Sequence, residues 1–346
     1  MLSVAYTGNQ TIELRDSEAI APPPKHVRIR VAYVGLCGTD LHIVHGSMDR
    51  RVHTPLIFGH EMSGTIDAVG EQVQGWAPGD KVTVMPLLWD GTCAGCQAGH
   101  THICQNLTFI GIDSPGALQP LWNVPASTVV PVPPSTDLRD AALIEPVAVA
   151  VHDVRRGRVA KGDKVVVLGG GPIGLLIATV SRHFGGDIAV VELDPTRRAL
   201  AKHLGFAAFE PEELSRSSWL DEWTAGAGAD VVFEVSGAAA AVASATALAK
   251  VRGTLVVVAI HPEPRPVDLQ RIFWRELTIV GARVYERSDF DTAIELIGSG
   301  IIPTQDLITR VVPLTEVGSA LDDLEGGRAM KVLVDVQAGQ PTEAHE

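Results

Sequence analysis

The sequence predicts a mixed α/β protein with two domains, a barrel-like all-β domain followed by a parallel α/β domain. Its 346 residues and 36.7 kDa exceed what a single hydrophobic core usually fills. Residues 1–150 carry short alternating strands, such as the one over 27–34, with glycines and prolines between them. From about Lys161 onward, apolar strands alternate with helices, which is typical of a parallel sheet covered on both faces.

The elements of the second domain follow one another in a regular order. The sequence predicts a strand over 164–168, a helix over 173–184, a strand over 187–191, a helix over 195–204, a strand over 230–235, an alanine-rich helix over 238–249 and a strand over 254–260. An amphipathic segment over 290–297 and a strand over 331–336 come later. The polar tail over 337–346 is expected to be mobile.

The composition excludes several classes of protein. A net charge of −13 and a pI near 5.4 argue against nucleic-acid binding, which needs a clustered basic surface. The longest apolar run, over 165–180, is too short and too rich in glycine for a membrane-spanning helix. Residues 1–8 lack the basic and apolar regions of a secretory signal. We therefore expect a cytoplasmic protein that binds neither nucleic acid nor membrane.

A glycine-rich loop predicts a nucleotide-binding site. Residues 168–174 read Leu-Gly-Gly-Gly-Pro-Ile-Gly and lie between a predicted strand and a predicted helix, which is the context that this motif requires. Gly169 permits a tight turn, Gly171 lets a pyrophosphate reach the backbone, and Gly174 allows helix and strand to pack closely. Pro172 and Ile173 begin the helix. A glycine turn that binds no ligand is the structural alternative.

The end of the next strand predicts which dinucleotide binds. Glu192 follows Gly174 by 18 positions (192 − 174), where a carboxylate accepts hydrogen bonds from the adenosine ribose hydroxyls. Because a carboxylate repels a 2′-phosphate, NAD is favoured over NADP. Arg197 leaves NADP open, since a nearby arginine can accommodate that phosphate.

A second group of residues predicts a catalytic metal site. Catalytic zinc keeps three protein ligands and one open position, and Cys37 and His60 are the first two candidates. Glu145 is the third, because a carboxylate in an apolar surrounding needs a cation to stay charged; a surface acid at a helix start is the alternative. Glu61 is placed to approach the metal from behind or to act as an exchangeable ligand. Asp40 is expected to orient the imidazole of His60.

At these residues the chain resembles the zinc-containing medium-chain alcohol dehydrogenase family, over essentially its whole length. The family's zinc signature is matched by Gly59, His60, Glu61, Gly64, Gly70 and Val73. The segment Cys-Gly-Thr-Asp-Leu-His over 37–42 and the segment Glu-Pro-Val-Ala-Val-Ala over 145–150 are most similar to the polyol (sorbitol), butanediol and threonine dehydrogenase branch. In that branch a glutamate replaces the second catalytic cysteine.

The resemblance implies a fold and a reaction. It implies a GroES-like β-barrel catalytic domain over 1–150, completed by 285–346, and a Rossmann NAD-binding domain with a doubly wound parallel sheet over 151–284. A secondary alcohol or polyol would bind zinc through its hydroxyl, lose its proton and pass a hydride to NAD, reversibly. Thr39 is then the expected first proton acceptor and His42 the expected outlet to solvent; for His42 a surface histidine is the alternative. Such relatives are commonly dimers or tetramers, so a homo-oligomer is expected.

The resemblance also implies a structural zinc lobe. The chain has four cysteines, and clustered thiols in a reducing compartment more often bind metal than form disulfides. Cys93, Cys96 and Cys104 match three positions of the family's four-cysteine lobe, but Asp90 stands where the first cysteine would be. An aspartate oxygen can complete a tetrahedral zinc site, with His100 or His102 as substitutes if Asp90 points away.

Several interpretations stay open at this level. L-threonine or 2,3-butanediol is an alternative substrate, and a non-catalytic NAD-binding sensor on the same fold is a less favoured alternative function. Lys331 is expected to reach the pyrophosphate or to be a solvated surface lysine. Trp89, Phe109 and Trp122 line a substrate channel or pack in the core.

Overall fold

The computed structural model describes residues 1–340, and the chain divides into two compact units. Unit 1 comprises Met1–Glu145, Ala293–Ser299 and the described chain from Thr304 onward, whereas unit 2 comprises Pro146–Thr292 and Gly300–Pro303. The boundaries expected from the sequence fall five and eight residues from these (150 − 145; 293 − 285). The mobility expected for the tail over 341–346 concerns residues outside the described part.

The strands of the described residues follow one another along the chain. They are β1 Leu2–Gly8, β2 Thr11–Asp16, β3 His26–Leu36, β4 Leu56–Ile57, β5 Glu61–Val69, β6 Lys81–Val84, β7 Leu87–Leu88, β8 Thr108–Phe109, β9 Leu121–Pro125, β10 Val129–Pro131, β11 Lys164–Leu168, β12 Asp187–Val191, β13 Ala207–Phe209, β14 Ala229–Glu234, β15 Ala249–Val257, β16 Thr278–Gly281, β17 Ile308–Pro313 and β18 Lys331–Asp335.

The helices of the same residues lie between and after these strands. They are α1 Gly38–Val44, α2 Ala94–Gln97, α3 Leu138–Ala141, α4 Ile144–Gly157, α5 Pro172–His183, α6 Pro195–His203, α7 Pro211–Arg216, α8 Trp219–Thr224, α9 Ala239–Leu248, α10 Leu269–Arg275, α11 Arg287–Gly298, α12 Thr304–Leu307 and α13 Val317–Glu325, with short 3₁₀ helices at Thr101–Ile103, Ala126–Thr128 and Leu314–Glu316. None of these helices is long and apolar enough to cross a membrane.

Unit 1 is built on a seven-stranded sheet in the order β10-β6-β5-β3-β18-β17, with β9 paired to β3. Strand β3 is the centre of this sheet, since it pairs antiparallel with β5, β9 and β18. Its alternating sequence places Val27, Ile29 and Val31 in the core at 0 % exposure. Smaller sheets, β2-β1-β4 and β7-β8, complete the unit.

Unit 2 contains a six-stranded parallel sheet in the order β13-β12-β11-β14-β15-β16. The continuous apolar runs of β11 and β12 are buried on both faces, as expected for a parallel sheet covered by helices. The order reverses at β11, and the nucleotide loop leaves the carboxyl end of that strand. Open α/β sheets bind their ligands at such a switch point.

Most predicted elements agree with the structure to within two residues, but β15 does not. It begins at Ala249, five residues before the predicted start at 254. The stretch around Arg252 is polar and exposed, so it lacks the apolar pattern that predicts a strand. A register shift opposite β14 interrupts the pairing at the same place. The expectation of a mobile tail from residue 337 onward does not hold for Gln337 itself. Its side-chain amide donates to the carbonyl of Val31 (2.6 Å), which ties this residue to unit 1.

Candidate metal centres and nucleotide-binding loop

Cys37 is the N-cap of helix α1, and the local sequence holds its side chain in place. Its Sγ accepts a hydrogen bond from the backbone N–H of Thr39 (3.3 Å), and the Asp40 carboxylate accepts one from the backbone N–H of Cys37 (2.9 Å). This reciprocal capping box satisfies two amides at the start of the helix. Asp40 is fully buried, so the sequence Cys-Gly-Thr-Asp builds a rigid support for the thiol.

His60 is held against Cys37 by a tightly packed turn. Its Nε2 lies 3.4 Å from the Sγ of Cys37, and the residue is 4 % exposed. The ring of Phe109 packs edge-on against the imidazole, with 5.2 Å between ring centroids. A side chain at Gly111 would come within 3.1 Å of the Cβ of His60, so this turn must carry a glycine there.

Glu61 and Lys331 form a buried ion pair beside these two residues. The carboxylate of Glu61 contacts the Nζ of Lys331, which also donates to the carbonyl of Leu36 (3.1 Å). Both side chains are less than 5 % exposed. Any side chain at Gly35 would overlap the carboxylate of Glu61. The expectation that Lys331 reaches the pyrophosphate or lies in solvent is therefore wrong, because β18 carries it into the core of unit 1.

The carboxylates of Asp40 and Glu145 lie near the same centre. The Oδ1 of Asp40 is 3.8 Å from the Nδ1 of His60, which is longer than a hydrogen bond, and neither atom has another hydrogen-bond partner. Glu145 is 4 % exposed at the start of α4, so the alternative of a surface acid is wrong. Its negative charge acts on both His60 and Lys331.

The electrostatics of this centre favour a cation. Burial raises the pKa of Cys37 and of Asp40, since each would be a charge in a poorly solvated place. Burial lowers the pKa of His60, but the negative charges of Cys37, Asp40 and Glu145 outweigh it and hold that pKa well above its usual value. More acidic groups than cations therefore meet at one buried point.

The donor set fits a zinc ion. Among the described residues, ligand atoms of Cys37, His60 and Glu61 lie within 4.8 Å of one another, and Glu145 is not part of that group. A thiolate, an imidazole and a carboxylate are the ligand types of catalytic zinc, and a divalent cation would offset the surplus of negative charge. The carboxylate of Asp40 lies on the Nδ1 side of the His60 ring, and a proton on Nδ1 would leave Nε2 free to bind the metal.

The second cysteine cluster is local and more exposed. Ligand atoms of Asp90, Cys93, Cys96 and Cys104 lie within 4.8 Å of one another, so Asp90 faces the cluster. Its carboxylate accepts hydrogen bonds from Asn106 and from the backbone N–H groups of residues 92 and 93, and these bonds lower its pKa. His100 and His102 are not part of the group.

The glycine loop lies between β11 and α5 in unit 2. Gly171 occupies the N-cap of α5 and Pro172 the first turn, so no side chain caps the helix and its N–H groups face outward. Gly169 has a φ of +115°, a backbone conformation that favours glycine. A side chain at Gly174 would overlap the carbonyl of Gly169, and Ile173 follows Pro172 in the same turn. The loop can thus receive a phosphate.

Glu192 is fixed at the end of β12. One oxygen accepts from the backbone N–H of Gly170 (2.7 Å) and the other from the backbone N–H of Asp194 (2.8 Å). The guanidinium of Arg197 lies beside the glycine turn: its Nη1 is the nearest atom, at 3.7 Å, to the position of a Cβ on Gly171. The Nε of Arg197 is buried without a hydrogen-bond partner.

The remaining predicted residues are spread over unit 1. Thr39 is half-buried next to Cys37, and His42 is exposed in the last turn of α1. Trp122 is 2 % exposed and packs in the core, whereas Trp89 is 45 % exposed. Phe109 contacts the candidate metal centre through the ring of His60.

Sequence reasoning missed one ion pair near the same centre. Arg51 and Asp113 form two parallel hydrogen bonds, Nε to Oδ1 and Nη2 to Oδ2, each 2.6 Å long. The two residues are 62 positions apart and match no motif. Only the run of basic residues around Arg51, in an acidic chain, gave a signal.

Comparisons with known proteins agree with this architecture. The family model described as an alcohol dehydrogenase GroES-like domain matches residues 23–134, and the model described as a zinc-binding dehydrogenase matches residues 172–299. The chain is 49 % identical over 341 residues to a 2-dehydro-3-deoxy-L-galactonate 5-dehydrogenase of Pseudoalteromonas atlantica, covering 98 % of this chain and 100 % of that protein.

Two further proteins illustrate the range of relatives. A sorbitol dehydrogenase of Halalkalibacterium halodurans is 33 % identical over 318 residues, covering 90 % of this chain and 92 % of that protein. A solved structure of a zinc-binding dehydrogenase from Sinorhizobium meliloti, bound to NADP, has a TM-score of 0.90 and 30 % identity, covering 97 % of this chain and 99 % of the other.

The chain therefore belongs to the zinc-binding medium-chain alcohol dehydrogenase family. It is a zinc-dependent dehydrogenase with a nicotinamide cofactor, and it combines a GroES-like domain with a Rossmann-type parallel sheet. The family, the fold class and the enzymatic reaction class predicted from the sequence are confirmed. The alternative of a non-catalytic sensor is set aside, because the relatives are dehydrogenases.

Proposed function

We propose that the protein oxidises a secondary hydroxyl group of a polyhydroxylated substrate, a sugar acid or a polyol, to a ketone with NAD as the hydride acceptor, and catalyses the reverse reduction. The 49 % identity to a 2-dehydro-3-deoxy-L-galactonate 5-dehydrogenase over the whole chain carries this proposal. That name describes the oxidation of a secondary hydroxyl on a hydroxylated acid. The sorbitol dehydrogenase relative supports the same kind of hydroxyl group on an uncharged chain.

Cys37 and His60 are proposed as ligands of the catalytic zinc, with Glu145 as the third ligand and Glu61 as an exchangeable one. The mutual distances of Cys37, His60 and Glu61 support their part of this assignment. Glu145 is supported by its burial and by its charge acting on His60. When bound, zinc stabilises negative charge on a substrate oxygen and the nicotinamide accepts the hydride. Lys331 compensates the buried charge of Glu61 when no other cation is near.

Thr39 and His42 are proposed to carry the proton from the substrate hydroxyl to solvent. Both lie on α1, whose N-cap is Cys37, and the exposed ring of His42 can exchange a proton with water. The hydroxyl of Thr39 accepts the proton as it donates its own to the next member of the relay.

NAD is proposed over NADP. The carboxylate of Glu192 is pinned by two backbone amides at the end of β12, so it cannot swing away from a 2′-phosphate. Arg197 lies beside Gly171, where it is placed for the pyrophosphate, which both dinucleotides share. NAD is therefore expected to give the higher kcat/KM, by at least about 10-fold.

A second zinc ion is proposed in the lobe of Asp90, Cys93, Cys96 and Cys104. The cytoplasm is proposed as the compartment in which the protein works. Free thiols of this kind persist in a reducing compartment.

A homo-oligomer is proposed as the working form. Helix α10 exposes Leu269, Phe273 and Trp274 by more than 70 % each, next to the edge strand β16. A second copy of the chain is the proposed cover for this apolar surface, as a dimer or tetramer.

The test is a substrate panel with the zinc-loaded protein. We expect reduction of NAD with 2-dehydro-3-deoxy-L-galactonate, and slower reduction with sorbitol and xylitol. The same panel should include the alternative substrates L-threonine and 2,3-butanediol. Highest kcat/KM with L-threonine or 2,3-butanediol, or no reduction with any polyhydroxylated substrate, would contradict the proposal. Light scattering on the same sample measures the oligomeric state.

A further inference from the structure

Arg51 lies on the segment that joins the two principal candidate zinc ligands. This segment, residues 45–55, leaves the end of α1, which begins after Cys37, and returns through β4 to His60. The side chain of Val52 is 6 % exposed, and the hydroxyl of Tyr6 donates to the Oδ1 of Asp49 (2.7 Å). Both contacts anchor the segment, so the backbone on either side of Arg51 is held in place.

The guanidinium of Arg51 is fixed by the carboxylate of Asp113. Asp113 binds it through two parallel hydrogen bonds of 2.6 Å, and also accepts a hydrogen bond from the backbone N–H of Phe109 (2.7 Å). The paired planes of an arginine and a carboxylate leave little rotational freedom to either group. The side chain of Arg51 thus has a defined direction although it is 40 % exposed.

Asp113 belongs to the turn that packs against the candidate metal centre. In that turn the ring of Phe109 lies 5.2 Å from the ring of His60, and a side chain at Gly111 would touch the Cβ of His60. The backbone N–H of Asp113 donates to the carbonyl of Phe109 (2.8 Å), which closes the turn. Arg51 is therefore connected to His60 both along the chain and across this turn.

Arg51 keeps hydrogen-bonding capacity for a ligand. A guanidinium has five N–H donors, and the hydrogen bonds that Arg51 makes within the described part of the chain use two of them, both with Asp113. The neighbouring residues Arg50 and His53 are also basic and exposed, in a chain whose net charge is −13. An anionic substrate approaching an acidic protein needs such a local positive field.

We propose that Arg51, held in place by Asp113, binds the carboxylate of a sugar-acid substrate while a secondary hydroxyl of the same molecule lies at the metal centre. This inference rests on the proposed function, and it narrows the substrate class from polyhydroxylated alcohols to hydroxylated acids. Arg51 takes no part in hydride or proton transfer. It discriminates acids from uncharged polyols by a charge-assisted, bidentate contact.

The test compares an acid and a polyol in the same variants. In Arg51→Gln, KM for 2-dehydro-3-deoxy-L-galactonate should rise roughly 10- to 100-fold with little change in kcat, because one charge-assisted contact is lost. The kcat/KM for sorbitol should change by less than about 3-fold. Arg50→Gln is the matched control: it removes the same charge one residue away, from a side chain without the Asp113 contact. It should raise KM for the acid by less than about 3-fold, the share of the screened positive field alone, and should leave sorbitol unchanged.

Calorimetry gives a readout that does not depend on turnover. Titrating 2-dehydro-3-deoxy-L-galactonate into the zinc-loaded protein with NADH should show a Kd that rises in Arg51→Gln by the same factor as KM and only partly recovers in Arg51→Lys. Equal losses for acid and sorbitol in Arg51→Gln would assign Arg51 a structural role at His60 and overturn the proposal, as would an unchanged KM for the acid. A wild-type protein that oxidises sorbitol but neither binds nor oxidises the acid would overturn it while leaving the polyol form of the proposed function intact.

Discussion

The two cysteine-bearing clusters of unit 1 differ in burial and in the part that the rest of the chain plays in them. The lobe of Asp90, Cys93, Cys96 and Cys104 closes on a single stretch of 15 residues (104 − 90 + 1), and three of its four members are not buried. The centre at Cys37, His60 and Glu61 spans 25 residues (61 − 37 + 1) and receives Lys331 from the last strand; His60 and Glu61 are buried and Cys37 is half-buried. The lobe can stabilise its own loop, whereas the buried centre can control charge and exclude water.

The surroundings of the two clusters differ as well. In the lobe, backbone amides and Asn106 satisfy Asp90, so its carboxylate is stable without a metal. In the buried centre, Glu61 relies on Lys331, while Asp40 and His60 retain atoms without a partner. Metal loss would leave Asp90 satisfied but would remove the link between the three thiols of the lobe, so it should affect folding there and chemistry in the buried centre.

The largest effect is expected from Cys37→Ser. Removing the thiolate should lower kcat/KM by at least about 10³-fold, because zinc supplies several kcal/mol of charge stabilisation in the reaction. The melting temperature should change much less than in a lobe variant. Steady-state kinetics and thermal unfolding of the same preparation measure both quantities. Activity within 10-fold of wild type would remove Cys37 from the metal site.

Lys331→Met should have the next largest effect, and its size should depend on zinc. The substitution leaves the carboxylate of Glu61 buried without its partner, which should cost about 3–5 kcal/mol of unfolding free energy in the metal-free protein. In the zinc-loaded protein the cost should be smaller, because the ion lies near the same carboxylate.

Denaturant unfolding with and without zinc gives the two values. The control is the double variant with Glu61→Gln, in which most of the loss should be recovered, since no unpaired charge is left. Equal losses with and without zinc would show that Glu61 does not respond to the metal. No recovery in the double variant would show that the unpaired charge of Glu61 is not the cause of the loss.

Cys93→Ser should separate the lobe from the chemistry. Loss of one thiolate should weaken zinc in the lobe and lower the melting temperature by roughly 5–10 °C. The kcat per folded molecule should fall less than about 3-fold, because no lobe residue lies in the buried centre. A loss of activity at low temperature equal to that of Cys37→Ser, with folding intact, would contradict the distinction between the clusters.

The smallest effect concerns Asp153, a buried carboxylate outside both clusters. It is fully buried, neither oxygen has a hydrogen-bond partner, and burial, aided by the charge of Asp289, holds its pKa well above the usual value. A pKa that is raised in the folded state contributes stability at low pH that is lost as the pH rises through the folded-state pKa.

Asp153→Asn should therefore raise the unfolding free energy at pH 8 by about 1–3 kcal/mol and have little effect at pH 4. Urea unfolding across this pH range checks the trend against wild type. An increase in unfolding free energy at pH 4 that disappears at pH 8 would show that the protonation of Asp153 does not determine the effect. Asp153 thus supplies the reference for a buried acid with no metal near it.

Much of the fold could be predicted, because its signals are local. The apolar strands β11 and β12, the glycine loop and the spacing of the lobe are each contained in a short stretch of sequence. The start of β15 was misplaced because polar residues at a register shift break the apolar pattern. Short helices such as α7 and α8 carry no long periodic pattern and were not predicted.

The site was predictable only as far as its motifs extend. Cys37 and His60 lie in recognisable segments, so their proximity could be expected. Lys331 could not be interpreted, because a lysine in a strand gives no sign that a buried acid 270 residues earlier faces it. The pair of Arg51 and Asp113 is of the same kind, since its meaning depends on a turn closing over His60.

The most direct test of the buried centre is the position of zinc in crystals of the protein, located by anomalous scattering at the zinc edge. We predict an ion about 2.3 Å from the Sγ of Cys37 and about 2.0–2.1 Å from the Nε2 of His60, with a carboxylate oxygen completing the set. Zinc density confined to the cysteine lobe, with Cys37 and His60 bound to no ion in a fully active enzyme, would contradict it.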